Sequence, residues 1–183
     1  QNLWHTIKIH SFKELVANSS YNQILDIGCA SGTLTKKISD ICTGQVTAID
    51  AYDKAIAHAR KKYPNIKFLV ADAHKLPFKS NYFDLIVSYE TIEHLFDPPK
   101  ALKEIHRVLK KDGQAIIAMD SGSILFRIVW LFWENTKGKL WQGAHLHPFH
   151  HNELEKIIKK VSFNILKKKF THLGREVTFI LRK

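Results

Sequence analysis

Cysteine is scarce in this sequence: Cys29 and Cys42 are the only two in 183 residues, and they lack the pairing of a metal site. That excludes a disulfide-stapled scaffold and a zinc ribbon, and a reducing, cytoplasmic compartment is expected. Long apolar runs are missing too. The longest, 124–133, contains Arg127 and falls well short of the roughly 20 residues that a membrane-spanning helix needs. The N-terminus alternates apolar and polar residues, so no secretory leader is expected. Repeats, low-complexity tracts and linker-like stretches are also absent, and residues 1–183 read as one domain. What is present is ordinary globular material, 45% hydrophobic and 25% charged, with a net charge of +11. Residues 152–183 hold nine basic groups against three acidic ones. Such a run is most simply a solvated face. The chain leaves no room for an added RNA-binding module, so nucleic acid is not an expected partner, whereas an anionic membrane surface suits the charge as a peripheral contact.

Hydrophobic periodicity gives a regular alternation. Residues 3–17 place Leu3, Ile7, Phe12, Leu15 and Val16 at helical spacing. Strands are expected over 23–28, 45–50, 66–71, 83–88 and 114–119. Helices are expected over 32–42, over 53–63 with Asp53 as its cap, and over 99–110 behind Pro98 and Pro99, with Gly113 as the breaker. Strands alternating with helices imply βαβ units and a parallel sheet covered on both faces. After residue 120 come an aromatic, apolar helix candidate (121–136), a helix over 152–161, and two adjacent strands, 163–170 and 175–183, turning near Gly174 as a hairpin.

Three pieces of this pattern carry chemistry. The first, Asp26-Ile27-Gly28-Cys29-Ala30-Ser31-Gly32, follows a strand and opens a helix with the spacing D-x-G-x-x-x-G. Glycines there let the backbone approach a ligand and turn sharply. Ala30 stands where a dinucleotide site has its middle glycine, and no third glycine follows. The second is Asp50 at the end of the second strand, where a carboxylate can accept both hydroxyl protons of a ribose. The third is Asp72-Ala73 after strand three, an acceptor beside a backbone amide that can read the amino edge of adenine. All three acids fall beyond the carboxyl ends of successive parallel strands, which is where open α/β sheets bind ligands.

The stretches LDIGCASGTLTKKI, VTAIDAYDKAIAHARKKYPNIKFLVADAHKLPFKSNYFDLIVSYETIEHLFDP and LKEIHRVLKKDGQAIIAM resemble class I S-adenosylmethionine-dependent methyltransferases. The likeness is to the small-molecule group that includes ubiquinone-pathway and sterol enzymes, and it covers about residues 22–120. It implies a Rossmann-like three-layer α/β/α sandwich. The sheet would be seven-stranded and mostly parallel, with an antiparallel C-terminal hairpin strand. It also implies S-adenosylmethionine as cofactor, S-adenosylhomocysteine as product and a small-molecule acceptor. Residue by residue, Asp26 would orient the loop and meet the methionine ammonium through water, and Gly28 and Gly32 would admit the methionine part. Ala30, in the middle-glycine position, would crowd that part mildly. Asp50 would hold the ribose, Ala51 and Tyr52 would flank the adenine, Asp72 and Ala73 would read its edge, and the Ser88 carbonyl would accept from the ammonium.

The segment SYETIEHL (88–95) follows strand four, close to the expected methyl position. His94 is the candidate general base, since imidazole titrates near neutrality. Some quinone-pathway O-methyltransferases hold a divalent metal on a similar E-x-x-E-H, here Glu90, Glu93 and His94; a histidine with a packing role is the weightier alternative, and no metal ligand set is assigned. The histidines of HLHPFHH (145–151) are assigned to structure or to the acceptor pocket. Segment 121–150 occupies the place of the family's substrate-shaping lid, and Phe126, Trp130, Trp133 and Trp141 favour an apolar or aromatic acceptor. An RNA or protein methyltransferase and a non-catalytic cofactor-binding module are the alternatives. The SYET sequence counts against nucleic-acid N-methylation, which resembles D/N-P-P-Y at that point.

Overall fold

The structure, a computed structural model, describes residues 3–17, 19–122, 150–171 and 174–183. The expected lid, with Phe126, Trp130, Trp133 and Trp141, lies almost wholly outside the described residues, as do His145 and His147. Its described elements are α1 (Leu3–Val16), β1 (Gln23–Ile27), α2 (Thr33–Ile41), β2 (Gln45–Asp50), α3 (Asp53–Lys62), β3 (Lys67–Val70) and β4 (Phe83–Tyr89). A 3-10 turn (Ile92–His94) follows, then α4 (Pro98–Val108), β5 (Leu109–Asp120), α5 (His151–Lys160), β6 (Asn164–Thr171) and β7 (Glu176–Arg182).

One seven-stranded sheet runs in the order β3-β2-β1-β4-β5-β7-β6. Strands β1 to β5 pair in parallel, while β7 is antiparallel to both β5 and β6. The chain reverses its strand order after β3, so β1 and β4 sit side by side at the switch point, where their following loops diverge and leave a crevice. The alternation of side chains builds two cores. Ile24, Val46, Leu85, Val87 and Ile116 face Phe12 and Val16 of α1 and Ile38 of α2. Leu25, Ile27, Ile86, Ile117 and Phe179 face Leu102 and Ile105 of α4 and Leu154 and Ile158 of α5. Ile56 and Ala59 of α3 pack with Ala48 and Phe68. The three-layer α/β/α sandwich with its antiparallel C-terminal hairpin is the expected one.

Some boundaries differ from expectation for physical reasons. Helix α4 stops at Val108, because Leu109 already has extended backbone and pairs with Phe83. The register then slips between Phe83 and Leu85, and the bulge this creates absorbs 110–113, Gly113 included. Tyr52, not Asp53, is the N-cap of α3, and it makes no side-chain cap. The buried stripe of α1 is rotated from the one expected: it passes through Lys8, Ser11, Phe12 and Val16, while Ile7 and Leu15 are half-buried. No helix among the described residues is long and apolar enough to cross a membrane.

Phe12 is completely buried between α1 and the sheet. Phe12→Ala is expected to cost about 3–5 kcal/mol through lost transfer energy and a residual cavity. Urea unfolding followed by circular dichroism measures it.

Candidate functional site

A cavity of about 600 Å³ opens beyond the carboxyl ends of the parallel strands, within the roughly 300–1000 Å³ typical of small-molecule sites. Its walls come from the loops after β1, β2, β3 and β4. Gly28, Ala30, Asp50, Ala51, Asp72, Ala73 and His94 all line it, so seven of the expected site residues are brought together. Asp26, Gly32, Tyr52 and Ser88 are not on its wall.

The loop after β1 is held by its backbone. Gly28 and Cys29 donate their N–H groups to the Ile49 carbonyl (2.9 and 3.0 Å). Gly28 has φ +77°, and a Cβ there would lie 2.1 Å from Thr91 Oγ1. Gly32, φ +75°, would push a Cβ to 2.8 Å from the Phe68 ring. Both glycines therefore serve a close approach as well as a left-handed backbone. Ala30 tolerates φ 44° and donates its N–H to Asp50 Oδ2 (2.8 Å).

Asp50 is fixed from two sides. The Ala30 amide reaches Oδ2 and the Tyr52 amide reaches Oδ1 (2.9 Å). A carboxylate accepts about four hydrogen bonds, so each oxygen keeps capacity for one more donor. Asp72 is arranged differently. Its Oδ1 accepts from the His74 amide (2.8 Å) and faces His74 Nδ1 at 2.6 Å, while Oδ2 has no partner among the described residues. These contacts, led by the His74 amide, hold the Asp72 carboxyl below its ordinary range. Two anchored carboxylates with spare acceptor sites suit a nucleoside, which offers two ribose hydroxyls and an amino group. Asp26 lies beneath the loop, buried, and accepts from Thr35 Oγ1 (2.6 Å). Burial pushes its pKa up to about 6 despite that bond. Ser88 is inside β4, buried, in register with Ile117.

The far wall follows β4. Glu90, in a left-handed conformation (φ 49°), lines the cavity with Thr91 and His94. Lys8, buried on α1, forms ion pairs with Glu90 (2.5 Å) and Glu176 (3.1 Å). Glu93 is not on the cavity wall and is only 3% exposed, and neither of its oxygens has a hydrogen-bond partner among the described residues. Burial, aided by the charges of Asp120 and Glu90, raises its pKa to about 8. Burial likewise raises Asp120 to about 7. Among the described residues no group of three His, Cys, Asp or Glu is placed to hold a metal ion. His150 caps α5, accepting from the Asn152 amide (3.3 Å) while its own amide donates to Glu153 (3.1 Å). His151 Nδ1 lies 2.9 Å from Lys168 Nζ.

A family model described as "Methyltransferase domain" matches residues 25–117. The chain belongs to this family. It is a class I methyltransferase domain, and S-adenosylmethionine is its cofactor. Among its relatives, the demethylmenaquinone methyltransferase of Chlorobaculum tepidum is 28% identical over 76% of this chain and 59% of that one. The mitochondrial arginine-hydroxylase NDUFAF5 of Homo sapiens is 32% identical over 78% of this chain and 42% of that one. The chain thus spans roughly half the length of these relatives. A SAM-dependent methyltransferase from Aquifex aeolicus, 19% identical, superposes with a TM-score of 0.77 over 97% of this chain and 90% of that one, which shows the shared fold.

Four site features escaped the sequence reading: Thr91, His74, Phe96 and Lys8. Only Lys8 had a signal, a lysine one helical turn before Phe12 on what became the buried stripe. Thr91, His74 and Phe96 act through contacts between distant loops, which no local spacing reveals.

The raised Glu93 pKa makes folding stability depend on pH. The folded state keeps this proton to higher pH than the unfolded chain, whose ordinary value is 4.5. The residue's cost to stability is therefore absent below about pH 4.5 and grows as pH rises toward about 8. Glu93→Gln is expected to stabilise the protein by about 2–4 kcal/mol near pH 8.5 and to change little near pH 4.5. Denaturant midpoints at the two pH values read this difference.

Proposed function

We propose that this chain transfers the methyl group of S-adenosylmethionine to a small acceptor, apolar or aromatic, offered from the His94 side of the cavity. The observation that carries the reading is the pair Asp50 and Asp72. Both are anchored by main-chain amides at the ends of adjacent strands, both line one cavity, and both keep acceptor capacity. Asp50 holds the ribose hydroxyls. Ala51 and Tyr52 flank the adenine, and Asp72 Oδ2 with the Ala73 amide takes its edge. Gly28 and Ala30 border the methionine part, while Asp26 and Gly32 act on it through the shape of the loop. Support for a small acceptor comes from the relatives named as demethylmenaquinone methyltransferases, and a prenylated aromatic hydroxyl compound is the corresponding class. The two thiols, both free among the described residues, fit a reducing cytoplasm.

S-adenosylmethionine supplies an electrophilic methyl group. The chain supplies placement: the carboxylates fix the nucleoside end, the glycine loop fixes the amino-acid end, and the remaining freedom is along the line to the acceptor. His94 ends the 3-10 turn and lines the cavity. There it takes the proton of an acceptor hydroxyl as the methyl arrives.

Two measurements test this. Asp50→Ala is expected to weaken S-adenosylhomocysteine binding by about 1–3 kcal/mol in calorimetry, the cost of a lost charged hydrogen-bond partner. Unchanged affinity would remove the ribose assignment. His94→Ala is expected to lower turnover of demethylmenaquinol by roughly 10²–10⁴-fold at unaltered cofactor affinity. Full turnover by that variant would make the histidine structural, and activity abolished by a chelator would move the chemistry to a metal.

A further inference from the structure

We propose that His74 is a positioning residue that ties together the two loops at the nucleoside end of the cavity, and that the hydrogen bond its Nε2 accepts is what keeps them tied. The inference rests on the cofactor reading above. His74 follows β3, lines the cavity and is 4% exposed. Its ring spans two segments. Nδ1 lies 2.6 Å from Asp72 Oδ1, and Nε2 lies 3.2 Å from the main-chain nitrogen of Asp97. Asp97 is the N-cap of α4, its Oδ1 accepting from the Lys100 amide (3.0 Å). One imidazole thus joins the adenine-edge carboxylate to the start of the helix after β4.

The donor pattern fixes the tautomer. The Asp97 amide can only donate, so Nε2 must present its lone pair, and the single ring hydrogen sits on Nδ1 and goes to Asp72. Asp72 Oδ1 is thereby spent on His74, and Oδ2 is turned free for a ligand donor. Phe96 stacks on the same ring (centroids 3.8 Å, 26°) and stays 66% exposed. The loop has a second attachment to α4, through residues that do not line the cavity. Glu104 accepts from the Leu76 amide (2.8 Å), and Arg107 donates to the Leu76 and Phe78 carbonyls (3.0 and 2.8 Å). Loss of His74 therefore frees the cavity wall and leaves the fold attached.

The test titrates S-adenosylhomocysteine by calorimetry into the wild type, His74→Gln and His74→Asn near pH 8. Glutamine places an amide oxygen toward the Asp97 amide and so keeps that acceptor. Asparagine can keep the donor to Asp72 and has nothing to offer Asp97. His74→Asn is expected to bind roughly three- to tenfold more weakly than the wild type, and His74→Gln to recover part of that loss. Wild-type affinity in His74→Asn, or His74→Gln binding no tighter than His74→Asn, would overturn the inference. Long-range nitrogen–proton NMR of the wild type reads the ring directly. A hydrogen on Nδ1 near pH 8 supports the tie, and a hydrogen on Nε2 overturns it whatever the variants do. Tight wild-type binding with either negative result removes only the role of His74. No wild-type binding removes the cofactor reading itself.

Discussion

Thr91 occupies the space that a side chain on residue 28 would need. That single close approach, with Thr91 Oγ1 within reach of the Ile27 and Tyr89 carbonyls (3.1 and 3.0 Å), brings the ends of β1 and β4 together at the switch point of the sheet. The rest of the site depends on it. With Gly28 pressed against Thr91, the loop must bend toward β2, where the Ile49 carbonyl takes two of its amides and Asp50 a third. Asp50 is in turn held with its remaining acceptor capacity toward the cavity. One glycine thus orients a carboxylate from another strand.

Charge is the second constraint. Asp26, Glu93 and Asp120 are all withdrawn from water near the carboxyl ends of the central strands, and burial raises the pKa of each. A fold built for stability alone would leave such groups at the surface. Here Lys8 of α1 offsets part of the cost by joining Glu90 and Glu176, so the first helix contributes a buried cation to the edge of the cavity as well as an apolar cover to the sheet. A buried pair of this kind is poor evidence of net stabilisation. What it does secure is the position of Glu90, whose left-handed backbone carries the chain from β4 into the turn that ends at His94.

Family membership settles the fold and the cofactor, and leaves the acceptor to the walls of the site. A relative named for hydroxylation shares nearly a third of its aligned residues with this chain, and a shared fold does not by itself fix a reaction. On the β4 side that wall is formed by Glu90, Thr91 and His94.

By itself the sequence determined the succession of strands and helices, the hairpin at the end, and the strand-end acids Asp50 and Asp72. Each of these is written in a local pattern: a period of hydrophobic residues, a glycine spacing, an acid just past a strand. The depth of Asp26 and Glu93, the insertion of Thr91 over Gly28, the bridge from His74 to Asp97 and the burial of Lys8 were decided only in the tertiary structure. The physical reason is common to all. A carboxylate, an imidazole or an ammonium takes its role from what stands opposite it, and the opposing group arrives from a different loop, placed there by the order of strands in the sheet.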